Sequence, residues 1–205
     1  MKKIITTIAI IALLATTAFA QNANTLRGSL SAGSAIPTTG GFGIGFDANI
    51  GWNIWDNLTA GLRYGAAIMI NADGDEDGAS VGAATNQQIL ATGTYFFNPG
   101  NSSFALFGGL GVGPYLMGDL NHVLVFDPRF PLGLVSGEVD GGAEFGLMLT
   151  AGFEVGRFRV AFEYHLVSNS DVRAVSDNTL LMERNNNFWG LSIGFTLGGG
   201  GRWGR

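Results

Sequence analysis

The chain has 205 residues, of which 33 are glycine, 46% are hydrophobic and only 13% are charged. It has no cysteine, which excludes a disulfide framework and thiol chemistry. Lys2 and Lys3 are the only lysines, and beyond them nine arginines stand against sixteen carboxylates, a balance that excludes nucleic acid as a partner.

In chain order the first element is a targeting segment. Lys2 and Lys3 precede an apolar run from Ile4 to Thr17, and Ala18-Phe19-Ala20 has the small-x-small pattern of a signal-peptidase site. Residues 1–20 are therefore expected to be a leader for Sec export, with Gln21 as the mature N-terminus. The run is shorter than the roughly 20 apolar residues of a spanning helix, and no later stretch is long enough.

Period-two alternation takes over after residue 25 and predicts eight strands. The first is Leu26 to Ile36. The second, Phe42 to Ile54, puts Phe42, Ile44, Phe46, Ala48, Ile50, Trp52 and Ile54 on one face, against Gly43, Gly45, Asp47, Asn49, Gly51 and Asn53 on the other. The third, Leu58 to Ile70, repeats this with Thr59, Gly61, Arg63, Gly65, Ala67 and Met69 on the small and polar face. Trp55-Asp56-Asn57 joins the two as a hairpin turn. A fourth strand runs from Gln87 to Phe97, and the turn Asn98-Pro99-Gly100-Asn101 leads into a fifth, Phe104 to Leu116. The sixth, Phe145 to Val155, turns at Gly156-Arg157 into the seventh, Phe158 to Val167. Phe188 to Leu197 is the eighth.

Connection lengths alternate. The turns after strands two, four and six are tight, whereas 71–86, 118–144 and 168–187 are long and acidic; only 37–41 breaks the rhythm. Short turns at one end and long connections at the other are the pattern of an up-and-down transmembrane barrel. The predicted fold is all-β, an eight-stranded antiparallel barrel over residues 21–197, with a glycine-rich periplasmic tail at 198–205.

A lipocalin-like barrel also has eight strands, with its apolar face turned inward. Three features favour the inverse arrangement. The polar face is mostly Gly, Ser, Thr and Asn, too poor in charge for a surface in water. Its charges, Arg27, Asp47, Arg63, Glu154, Arg159 and Glu163 with His165 nearby, come in both signs and could pair across a narrow lumen. Trp52, Tyr95, Phe97, Phe104, Phe158 and Trp189 fall near strand ends on the apolar face, where aromatic girdles belong.

The turn Trp55-Asp56-Asn57-Leu58, the strand Phe158–Tyr164 and the closing strand Phe188–Phe195 with its tail Thr196–Arg202 resemble small outer-membrane β-barrel proteins. These are the porin-family barrels common in Bacteroidetes-type bacteria. The resemblance covers the whole mature chain. It implies a place in the bacterial outer membrane, with lipid and lipopolysaccharide as surroundings and the barrel assembly machinery as a partner. That family's closing strand commonly ends on an aromatic, whereas here Phe195 or Leu197 is followed by a tail through Trp203 and Arg205.

Two local motifs bear on chemistry. Asp73-Gly-Asp-Glu-Asp77-Gly78 has the spacing of half a calcium loop, but Ala84 stands where the bidentate Glu belongs, so a solvated acidic loop is expected and no metal site. His165, Ser168 and Asn169 resemble the His-x-Ser-Asn motif of outer-membrane lipid A deacylases. Here His and Ser are three apart, which sends them to opposite faces of a regular strand. No catalytic residues and no cofactor are expected. The interior of an eight-stranded barrel is just filled by side chains, so Asp47, Arg63, Glu154, Arg159 and Glu163 are expected to hold a plugged lumen together. The function is then structural, or surface recognition through the long acidic connections. A narrow channel for small solutes is the alternative, followed by a lipid A-modifying enzyme and a soluble binder. A monomer is favoured.

Overall fold

Strict alternation commits each segment to strands with two unlike faces, and the faces decide how those strands close. In the computed structural model, residues 25–75, 78–97, 104–119, 123–126, 134–139, 142–174 and 176–198 are described. The expected leader, the expected turn at 98–101 and the expected tail beyond Gly198 lie outside them. The strands are β1 (Leu26–Ser34), β2 (Ile36–Pro37), β3 (Gly41–Trp55), β4 (Leu58–Asp75), β5 (Gly78–Phe96), β6 (Phe104–Asp119), β7 (Val123–Phe126), β8 (Leu134–Val139), β9 (Ala143–Val155), β10 (Phe158–Val167), β11 (Ser170–Ala174), β12 (Leu180–Arg184) and β13 (Phe188–Gly198).

Eight of these close a ring in the order β1-β3-β4-β5-β6-β9-β10-β13 and back to β1, every neighbour antiparallel. Closure leaves no barrel edge unpaired. One end is built from tight turns. Trp55 pairs with Leu58 around Asp56-Asn57, and the register shift between Asn53 and Trp55 lets this turn form without a left-handed residue. Val155 pairs with Phe158 around Gly156-Arg157, where Gly156 takes φ 60° as the first central residue of a II′ turn.

The side chains are sorted inside out relative to a soluble barrel. Phe46 (61% exposed), Leu62 (58%), Ile193 (51%) and Phe195 (62%) point outward, whereas Arg63 (5%), Glu154 (0%) and Glu163 (7%) are buried in the lumen. All six girdle aromatics named from the sequence are exposed on the outer face.

The opposite end differs from expectation. The 71–86 connection is largely a continuation of the β4–β5 ladder, from Asn71↔Gly82 to Asp75↔Gly78. Asp73 and Asp75 therefore lie in an extended strand rather than a cation-wrapping loop, and residues 76–77 are outside the described part. The other two long connections contribute β7, β8, β11 and β12, which add in sequence to β5 as β7-β8-β11-β12. An antiparallel ladder can run on past the apolar belt because backbone pairing does not need an apolar face. The side-chain alternation that betrays a strand fades in the sequence there. Only the β1–β3 connection stays low, with β2 pairing to β13.

Candidate functional site

The lumen gathers opposite charges out of water. β3, β4 and β10 each aim one charged residue inward at mid-height. The guanidinium of Arg63 donates from Nη1 and Nη2 to both oxygens of Glu163, at 2.8 and 2.6 Å, and lies 3.2 Å from Asp47. Bidentate pairing of this kind fixes orientation as well as charge. Ser192 adds a hydroxyl 3.4 Å from Glu163 Oε1. His165 Nε2 is 3.5 Å from Glu163 Oε2, its Nδ1 is 2.9 Å from the Tyr115 hydroxyl, and its ring stacks on Phe188 at 4.1 Å.

A second layer lies nearer the turn end. Glu154, on β9, is gripped by Arg27 of β1 and by Arg159 of β10, the latter at 2.9 Å. Each guanidinium covers an aromatic face, Arg159 over Phe107 at 3.7 Å and Arg27 over Phe96 at 4.6 Å. Such stacking keeps a desolvated cation favourable. The two layers hold three arginines and three carboxylates, so together they are balanced.

All five residues singled out from the sequence face the lumen, but they form two clusters rather than one. Asp47, Arg63 and Glu163 belong to the first, and Glu154 and Arg159 to the second. Arg27, recognised only as an inward charge, completes the second. Tyr115 and Phe107 escaped notice because they sit on a glycine-rich strand. Glycines of the facing strand β9 make room for them: a methyl group at Gly146 would lie 2.6 Å from the Tyr115 ring, and one at Gly152 would lie 2.7 Å from Phe107.

Above the charges, toward the long connections, Met69, Leu90, Tyr115, Met148 and Phe188 pack as an apolar cluster. Small cavities remain among the described residues. That beside Arg63, Glu163 and His165 is about 30 Å³, that beside Arg27 and Arg159 about 20 Å³, and that beneath Asn186 and Asn187 about 10 Å³. Spaces of this size suit one or two groups the size of a water molecule. Asn86 Nδ2, Gln88 Oε1 and Thr150 Oγ1 are buried without a protein partner, consistent with a hydrated interior.

The His165–Ser168 pair does not assemble. His165 is enclosed in the lumen, whereas Ser168 is exposed and its hydroxyl donates to the Phe145 carbonyl at 3.1 Å. Among the described residues no cluster of His, Cys, Asp and Glu is arranged to hold a metal ion.

The chain matches no protein-family model, and no curated protein matches it in sequence. Solved structures do resemble it. The outer membrane protein OprG from Pseudomonas aeruginosa aligns at 12% identity and a TM-score of 0.51, over 87% of this chain and 98% of that one. Neisserial surface protein A aligns at 13% identity and 0.44, over 86% and 97%. The N-terminal β-barrel domain of Pseudomonas aeruginosa OprF gives 13% and 0.42, over 86% and 100%. At such identities the likeness is one of fold, and the score of the OprG alignment supports it.

Proposed function

We propose that this chain is an outer-membrane β-barrel whose lumen is closed by paired charges, and that it works as an envelope scaffold or in surface recognition through its acidic long-connection end. The observation that carries the reading is the inversion of faces: an exposed aliphatic and aromatic belt around a buried ionic interior. Moving one such side chain from water to an apolar medium is worth about 1.5–3 kcal/mol, so the belt favours lipid strongly. Lipid offers the backbone no hydrogen bonds, and a closed ring is the β-structure that tolerates this. The fold shared with OprG, an outer membrane protein, agrees with that location.

The long connections carry twelve of the sixteen carboxylates. Such an end suits divalent cations bridging to lipopolysaccharide phosphates, or a basic surface on another cell or protein. A narrow channel is the second reading, favoured by one observation: Arg63 has two carboxylates within reach, so its pairing could rearrange without leaving it unpaired. Catalysis finds no support in the separated His165 and Ser168.

The location is tested by folding the mature protein into vesicles of lipids brominated along the acyl chain. Trp52, Trp55 and Trp189, exposed on the outer face, are expected to be quenched, most strongly by bromines near the headgroups. Fluorescence unchanged by bromination, with the protein recovered in the soluble fraction, contradicts the proposal.

A further inference from the structure

We infer that the turn end of the lumen is a binding site for a small monovalent anion of halide size. The cavity there is walled by Arg27, Arg159, Ser29, Asn49, Thr59 and Thr94, together with backbone at Gly28 and Gly51 and the Phe96 ring. Its charged walls are the two arginines, and no carboxylate lines it. Glu154, the shared partner of both guanidiniums, does not line the cavity and supplies one negative charge for two positive ones. This layer therefore carries a surplus positive charge, while the next layer, with Asp47 and Glu163 around Arg63, carries the matching deficit.

The rest of the wall supplies neutral donors. Ser29 and Thr94 bring hydroxyl groups and Asn49 an amide, while the Thr59 hydroxyl is committed to Asn53 Oδ1 at 2.7 Å. Two partly desolvated guanidiniums with hydroxyl and amide donors form a pocket that stabilises negative charge, as electrostatic attraction strengthens where water is excluded. The space of about 20 Å³ left for water-sized groups suits one water or one monatomic anion. Phe96 closes one side beneath Arg27, which keeps that guanidinium turned toward the cavity.

Protein folded in a non-ionic detergent is heated in sodium chloride, sodium bromide or sodium gluconate at one ionic strength. Chloride and bromide are expected to raise the unfolding midpoint saturably over gluconate, which is too large to enter. Arg27→Gln, which leaves Glu154 paired one-to-one with Arg159, is expected to abolish that difference. Thr94→Val, which alters no charge, is expected to raise the half-saturating chloride concentration several-fold, so the test survives if the arginine variant folds poorly. Crystals grown in bromide are expected to give an anomalous peak between Arg27 and Arg159. Equal midpoints in all three salts, an undiminished chloride increment in both variants, or bromide found only at exposed positions (an adventitious ion only) overturns the inference.

Discussion

Glu154 is the residue whose neutralisation is expected to cost most, and the reason lies in the ratio of charges around it. Its carboxylate is 1% exposed and holds Arg27 and Arg159 together, with Thr196 Oγ1 at 3.5 Å. Glu154→Gln keeps the shape and removes the charge, leaving two buried guanidiniums facing each other. Removing one partner of a buried ion pair costs about 3–5 kcal/mol. Here both pairs break at once and repulsion is added, so a loss of about 5 kcal/mol is expected. Arg27→Gln is the contrasting change: Glu154 and Arg159 remain as a neutral pair, and the loss is confined to one charged hydrogen bond and the stacking on Phe96. About 2 kcal/mol is expected for that variant. The assay is urea-induced unfolding from lipid vesicles, read by tryptophan fluorescence and by the heat-dependent shift in gel mobility. Equal losses for the two variants would refute the reasoning, since they would mean that water or lipid headgroups already neutralise the layer.

Other changes separate the two faces. Ile193→Arg, at the middle of β13 on the outer face, is expected to destabilise the inserted barrel by about 2–4 kcal/mol in the same assay; on a soluble protein an arginine at so exposed a position would change little. Gly146→Val places carbon 2.6 Å from Tyr115 and 2.7 Å from the Leu166 carbonyl. It is expected to lower the yield of folded protein on gels, and Gly146→Ala to do so less. His165→Ala and Ser168→Ala are expected to leave the acylation of lipid A unchanged by mass spectrometry, because the two side chains do not meet.

The barrel was legible in the sequence because each stave buries one small or polar face and leaves the other, apolar face exposed, so Phe42 to Ile54 and Phe188 to Leu197 alternate without a break. Beyond the belt that pressure ends. Val123–Phe126 and Leu180–Arg184 are too short, and the β4–β5 extension too polar, to have been read as strands, although the backbone pairs there as well. In the lumen, the direction of Asp47, Arg63, Glu154, Arg159 and Glu163 followed from parity. Their partners did not, since pairing depends on the stagger of the closed ring, which brings Arg63 to Glu163 across 100 residues of chain and Arg27 to Glu154 across 127. Tyr115 and Phe107 could have been found by asking what fills the space that Gly146 and Gly152 leave on the facing strand.

The most direct test of the closed lumen is ion conductance of the purified, folded mature protein in a planar lipid bilayer, with insertion verified independently. The account predicts silence from the wild type, because two layers of ion pairs and an apolar cluster leave only water-sized spaces. Discrete, reproducible current steps from the wild type would contradict it and make the narrow channel the leading reading.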